Sequence, residues 1–453
     1  MEGPTALEIA RNVISLARKA GAEQCDAYVS MYTEANVTVR LGELEKLIEA
    51  GSMAVGLRVI NGGRTAVCST SDLTPLSLER FAADTVDLAS ISEPDEFAGL
   101  PEPELLSRTT NASGLALYDE HLETLGIDEK IRMAKACESA ALGADPRINN
   151  SDGASLSTYI GNVALANSHG FEGSYPSTSI SLMVEAIADD AEGKKRNGYW
   201  FSAERSLHRL MDPEQIGKIA ARRTLDQLGA RKIPTRKAPV VFEPRMTIAL
   251  MGDLVGCATG SSLYRGSTFL ADRVGKTIGS PLVNIVDDPT RPGVLGSRPF
   301  DGEGVGTRRN ELFRNGTFSG FLFDCYTARR TKHATTGSAQ RGIESLPAPG
   351  ASAIRFEPGT DSPDAIIAGV SEGLYLTTLM GNGFNPTTGD YSRGAGGFWI
   401  ENGKIAYPVA EVNVSGRMDE MLAGVDAVGD DLLAFGSSSA PTIRINEMMI
   451  SGT

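Results

Sequence analysis

Hydrolytic metal sites rely on histidine, and this chain has four: His121, His169, His208 and His333. No two are close in sequence, so an HExxH helix with both ligands on one face cannot form. Each is read as a solvated or structural imidazole. The serine elbow GxSxG is absent; Gly260-Ser261-Ser262 and Ser437–Ser439 read as turns. The cysteines, Cys25, Cys68, Cys137, Cys257 and Cys325, are scattered, odd in number and form no CxxC pair. They read as reduced thiols, mostly small core residues, with Cys257 closing an apolar helix face. The carboxylate pairs Asp287-Asp288, Asp430-Asp431 and Asp301 with Glu303 are expected in solvated turns. Neighbours on a strand point to opposite faces, so the adjacent pairs do not easily share one site. Gly302-Glu303-Gly304-Val305-Gly306 looks like part of a dinucleotide fingerprint but leads into no βαβ unit. Residue chemistry alone therefore argues against a free-standing catalyst.

The elements that would hold these residues are legible in part. Leu7, Ala10, Val13, Ile14 and Ala17 predict a helix from Thr5 to Lys19, capped by Thr5 and stopped at Gly21. Asp26–Arg40 alternates as strands do. Met53–Ile60, Asn61-Gly62-Gly63 and Arg64–Ser69 form a hairpin signal, and Leu76–Leu88 a second amphipathic helix. The acidic, proline-rich segment Ser92–Leu106 reads as a surface linker. A helix over Ile127–Ala141, strands over Ile148–Asn167 and Ser174–Ala188, and a helix over Asp212–Leu228 follow, the last with Asp212 as cap and Pro213 in its first turn. Beyond a basic link at Gly229–Lys237 come a short buried strand, Ala238–Phe242, and a helix, Thr247–Cys257. Short strands punctuated by glycine then run to a last one at Thr442–Ile450. The expected class is α+β: N-terminal α/β units with antiparallel strands and a glycine-rich, mainly β C-terminal domain. The expected divisions are 1–95, 107–230 and 237–453.

Composition bounds the function. The 453 residues are 41% hydrophobic and 22% charged, which suits folded domains and is far from a disordered composition. The net charge of −14 disfavours direct nucleic-acid binding, since the phosphate backbone repels it. Met1 to Gly21 carries charges inside its apolar pattern, and no long uncharged apolar stretch occurs elsewhere, so neither a signal peptide nor a membrane span is expected. Together with the cysteine pattern, this places the expected protein in the cytoplasm.

Two segments carry a resemblance. One runs from Leu254-Val255-Gly256 through Ser261–Leu270 to Arg298-Pro299-Phe300-Asp301-Gly302-Glu303-Gly304-Val305. The other is Thr388–Gly403, with the sequence Gly389-Asp390-Tyr391-Ser392-Arg393-Gly394-Ala395-Gly396-Gly397-Phe398-Trp399, followed by Tyr407-Pro408-Val409 and Val428-Gly429-Asp430-Asp431. Together with Asn36–Glu45 and the hairpin at Asn61, they resemble the TldD/PmbA family, TldE (PmbA) type, over essentially the whole chain. The resemblance implies a subunit of a heteromeric cytosolic protease that trims or degrades unstructured peptides, in leader-peptide maturation and antitoxin turnover. In that system the TldD-type subunit carries an HExxxH helix and a distal cysteine that hold a metal, expected to be zinc, with the glutamate as general base.

This chain departs from that pattern. Gly252 stands where the first histidine would be, Asp253 where the glutamate would be, Cys257 where the second histidine would be, and Phe435-Gly436 near the late cysteine. The expectation is therefore a chain inactive alone, with no catalytic residue and no cofactor or metal of its own. Zinc is expected in a TldD-type partner. A homodimer is expected when the chain is alone, with unfolded peptides as substrates. Tyr391 and Arg393 are candidate contacts for a peptide or for the partner, with glycine-rich edges open to strand addition. The alternative for that segment is that it turns and packs within its own domain. Two other readings stand beside this one. The first is a regulatory protein-binding factor of the modulator of DNA gyrase type, without a protease role. The second is an autonomous hydrolase built on Cys257 and a spatially close histidine.

Overall fold

The computed structural model describes residues 4–110 and 112–452. The expected start of the first division at residue 1 and end of the last at 453 lie outside them. The class is α+β, as expected. Helix α1 (Ala6–Lys19) opens on a capping box: the Thr5 hydroxyl accepts from the Glu8 N–H, and the Glu8 carboxylate accepts from the Thr5 N–H. Strands β1 (Gln24–Arg40), β2 (Glu43–Asn61) and β3 (Arg64–Thr70) follow, then α2 (Pro75–Ile91). The β2–β3 turn is Gly62-Gly63, with φ of 56° and 76°. Positive φ at both central residues is what a two-residue hairpin loop demands. Next come α3 (Ile127–Leu142), β4 (Ile148–Asn167), β5 (Glu172–Asp189), β6 (Lys195–Glu204) and α4 (Pro213–Leu225), with the Asp212 carboxylate capping α4 at the Gln215 N–H.

These strands make one six-stranded antiparallel sheet in the order β3-β2-β1-β4-β5-β6. The β1–β4 ladder runs from Asp26 opposite Asn167 to Val39 opposite Ala154, so a single sheet passes through both N-terminal units. Ala10, Val13 and Ala17 of α1 and Ala82 of α2 bury against Val29, Leu57 and Val59. Cys137 and Ala141 of α3 and Ile216 and Ala220 of α4 bury against Leu156, Leu182 and Val184. Burial of these apolar faces is the main force holding the helices to the sheet.

The C-terminal part begins with β7 (Arg236–Phe242), α5 (Pro244–Cys257) and α6 (Gly260–Tyr264). Short strands β8 (Ile285–Asp287), β9 (Asn310–Arg314) and β10 (Thr317–Phe318) precede α7 (Cys325–Thr331), which is followed by β11 (Ala339–Gln340), β12 (Ala348–Pro349), β13 (Ile354–Phe356) and α8 (Pro363–Ala368). Long strands β14 (Glu372–Met380), β15 (Asp390–Glu401) and β16 (Lys404–Arg417) lead to α9 (Met418–Ala423), β17 (Val425–Val428), β18 (Leu433–Phe435), β19 (Ser438–Ala440) and β20 (Ile443–Ser451). One sheet has the order β16-β15-β14-β7-β20-β17, and β20 also pairs back to β16, which closes it as a barrel. A second has the order β10-β9-β8-β13-β19-β18. Helix α5 packs against β7 and β14 of the barrel and β18 and β19 of the second sheet. That position explains why so much of its surface is apolar and buried, including Met246, Leu250, Met251, Leu254, Val255 and Cys257.

One expectation is corrected and another refined. The glycine-rich Asp390–Glu401 segment is neither a run of turns nor an open edge. It is the central strand β15, hydrogen-bonded to β14 on one side and β16 on the other. Its glycines permit close packing: a Cβ on Gly397 would sit 1.9 Å from the Tyr375 carbonyl oxygen. The Ser92–Leu106 segment lies largely on the surface but is pinned in place. Leu100 is buried, and the Arg329 guanidinium of α7 donates to the carbonyls of Phe97, Gly99 and Leu100.

Candidate functional site

The first turn of α5 sets the site. Glu243 precedes the helix, Pro244 occupies its first turn, and the Glu243 carboxylate accepts two bonds from Arg223 of α4, at 2.9 and 2.6 Å. Arg245 follows Pro244. A cation at the positive end of a helix dipole is locally unfavourable. Arg245 is also buried, with 9% of its surface exposed, and no carboxylate among the described residues lies within ion-pair distance of it. Its guanidinium stands over Tyr199 at 4.4 Å, with Phe435 at 5.3 Å and Trp200 at 5.6 Å. Burial, and then Arg223, lower its pKa from the ordinary arginine value.

Arg245 lines a cleft of about 690 Å³ between the N-terminal sheet and the barrel. The walls are β6, α4, α5 and the middle of β14, β15 and β16. At this level the ladders are interrupted: the β14–β15 register shifts between Leu376 and Thr378, and the β15–β16 register between Ala395 and Gly397. On β16, Glu411 sits at φ 57°. Bulges and left-handed residues at one level bend strands away from regular pairing, and such features concentrate at functional sites.

The residues singled out from sequence fall as follows. Gly252 faces open space, with nothing within 4 Å of where a Cβ would be. Asp253 lies 3.5 Å from Arg393 of β15. Burial raises the Asp253 carboxyl pKa, and Arg393 opposes that shift. Cys257 is fully buried, its thiol pushed up to about 12 by burial, with Sγ 3.8 Å from the Pro386 carbonyl oxygen. A site with one position lacking a donor, one carboxylate paired to arginine and one thiol kept neutral does not fit a catalytic zinc, which needs three ligands and an open position. Among the described residues, no group of three or more His, Cys, Asp or Glu side chains is arranged to hold a metal ion.

The histidines sit elsewhere. His121 lies beside Asp119, His169 against the Pro101 carbonyl, and His333 on the Phe323 ring, while Cys257 faces a carbonyl. Arg393 does line the cleft. Tyr391 does not, and its expected role as a peptide or partner contact is corrected. It is 1% exposed inside the barrel core, where burial raises its phenol pKa and Arg393 opposes the shift. Side chains alternate along a strand, so Tyr391 and Arg393 share a face of β15: Tyr391 packs into the core, and Arg393 next to it reaches Asp253. Arg245 went unnoticed in the sequence. The available signal was a cation placed in the first turn of a helix, directly after Glu243-Pro244, against the local rule.

A second charged cluster lies where the N-terminal sheet meets the C-terminal part elsewhere. Asp26 of β1 is bridged by Arg58 of β2 and by Arg341, the latter at 2.7 Å, and Arg58 lies 3.5 Å from Glu303. Asp301 and Glu303 are each 1% exposed, which corrects their expected place in a solvated turn. Asp301 accepts from the N–H groups of Glu303, Val305 and Ala339. Burial and the neighbouring Glu303 push Asp301 up to about 7, and the same causes push Asp324 up to about 6.

The comparisons with known proteins agree with this architecture. The PmbA/TldA metallopeptidase domain 1 matches residues 25–89, the central domain residues 120–228 and the C-terminal domain residues 235–452. The metalloprotease PmbA of Escherichia coli O157:H7 is 36% identical over 448 residues, covering 99% of this chain and 95% of that protein. A Bacteroides thetaiotaomicron protein described as a modulator of DNA gyrase superposes with a TM-score of 0.91 at 28% identity, covering 98% of each chain. TldE from Thermococcus kodakarensis shares the fold, with a TM-score of 0.87 at 22% identity over 98% of this chain and 99% of that one. The chain is thus a metallopeptidase-like protein of three matched modules, and it belongs to the PmbA/TldD family. Among the described residues, no helix is long and apolar enough to cross a membrane.

Proposed function

We propose that this chain is the non-catalytic, TldE-type subunit of a cytoplasmic peptidase complex that processes unstructured peptides. The metal and the catalytic glutamate belong, in this reading, to a TldD-type partner. The observation that carries it is the state of α5. The position of the general base is a shorter carboxylate held by Arg393, and the flanking ligand positions are a bare glycine and a buried thiol. What remains is a cleft with interrupted strand ladders, suited to holding an extended peptide against another subunit's chemistry.

The test is to purify the chain alone and with a TldD-type partner, then measure bound zinc and cleavage of an unstructured peptide. Metal and cleavage in the mixture only are expected. Zinc-dependent cleavage by the lone chain, or no complex with any cognate partner, would overturn the proposal.

A further inference from the structure

The cleft has a charge balance opposite to that of the molecule. The chain carries a net charge of −14, yet the cleft is lined by Lys195, Arg196, Arg223, Arg245 and Arg393 against Glu411 alone among carboxylates. Several of these cations are already matched. Lys195 pairs with Asp189, Arg196 with Asp190, Arg223 with Glu243 and Arg393 with Asp253. Glu411 is engaged by Lys194 and Lys232. Arg245 is the lining cation left without a carboxylate among the described residues, and its Nε has no hydrogen-bond partner. The Arg393 Nε, in the same cleft, is also unpartnered.

Holding a buried guanidinium without an anion is costly, because its desolvation is uncompensated. The aromatic faces of Tyr199, Trp200 and Phe435 offset part of this cost and fix the group in place. They leave its Nε–H without a hydrogen-bond partner. A planar, preorganised guanidinium with an open donor matches a carboxylate or phosphate. The residues that the register shifts leave out of the ladders, Thr377 of β14, Gly396 of β15 and Glu411 of β16, line the same space.

We propose that Arg245, with Arg393 lining the same cleft, forms a subsite for the C-terminal carboxylate of a bound peptide. The proposal rests on the peptide-holding reading above and adds to it an end of the peptide that the cleft recognises. A peptide is favoured over a free anion because the cleft is far larger than a carboxylate and continues from the charged subsite along Met246, Ile248, Leu379 and Met380, which suit side chains.

The experiment compares an unstructured fluorescent peptide with a free C-terminal carboxylate and the same peptide amidated at that end, by anisotropy titration of the full chain. The free acid should bind at least about tenfold more tightly, the scale of one charge-assisted hydrogen bond. Arg245→Met should remove that difference, and Arg245→Lys should restore part of it. A thermal melt of each variant confirms folding, and the acid–amide comparison on the unaltered chain needs no variant. Equal affinity for acid and amide overturns the subsite. Displacement of the acid peptide by inorganic phosphate at a concentration where acetate has no effect also overturns it, in favour of a phosphate site. The two proposals fail separately. A chain that activates its partner but binds acid and amide alike loses only the subsite. A chain that discriminates acid from amide but forms no complex loses only the subunit role.

Discussion

Two charged places mark the junction between the N-terminal sheet and the C-terminal part. At one, Asp26 is shared by Arg58 and Arg341, Arg58 reaches Glu303, and the side chains are almost wholly buried. At the other, Arg245 lies in an aromatic surround with no carboxylate partner and opens on a cleft. Both are buried charge, but the first is balanced from within and the second is not. Balanced burial fixes how the two parts sit together. A buried cation without an internal anion is costly, so a cleft where an outside anion can reach it is a candidate for binding, whereas the balanced cluster is structural.

The sharpest way to break this comparison is Asp26→Ala. It leaves Arg58 and Arg341 buried without their shared anion and should cost about 3–5 kcal/mol in urea denaturation. A loss comparable to that of a surface pair would mean the cluster is not what joins the two parts. Arg245→Met should cost far less in the same assay, since no partner is left unpaired.

The glycines of the two regions sharpen it next. Gly397→Ala forces a Cβ against the Tyr375 carbonyl and should destabilise by about 1–3 kcal/mol. Gly252→Ala, in mid-helix facing open space, should stabilise by roughly 0.5–1 kcal/mol. Calorimetric melts of both variants decide the signs. A destabilising Gly252→Ala would show that the space beside α5 is filled in solution.

The buried carboxyls predict a pH trend. Asp301 and Asp324 are raised to about 7 and about 6, so the folded chain holds protons that the unfolded chain releases. Their contribution is fully present below the unfolded carboxyl pKa and is lost as pH rises through 6 to 7. The melting temperature should fall between about pH 4 and pH 7, and Asp324→Asn, which keeps the cap of α7, should flatten that slope. The smallest effect concerns thiols. The buried Cys257, pushed up to about 12, should resist iodoacetamide in the native chain, while the partly exposed Cys68 reacts. Mass mapping before and after denaturation checks it.

Much of the fold was legible where local chemistry is strong. Thr5 with Glu8, Asn61-Gly62-Gly63 and Asp212-Pro213 each mark a boundary through a backbone requirement, and the structure places the boundaries there. Strand β6 was not legible, because Lys195–Gly198 is polar and its pairing to β5 is set by tertiary context. β15 looked like turns because glycine usually marks them, whereas here glycine serves close approach between neighbouring strands. Of the site, the degenerate positions Gly252, Asp253 and Cys257 were legible only through the resemblance to the TldD/PmbA family. Arg245 and the burial of Asp301 and Glu303 depend on surfaces that meet only after the whole chain has folded.

The β1–β4 ladder also bears on how the protein is made. Asp26 pairs with Asn167, so β1 has no permanent neighbour on that side until α2, α3 and all of β4 have been synthesised. Long-range strand pairing is slow, because loop closure precedes its reward. During translation, the β1–β2–β3 hairpins wait with an unpaired edge, a template for joining the wrong strand. The nascent N-terminal half therefore passes through a stage with an open strand edge that a chaperone would protect.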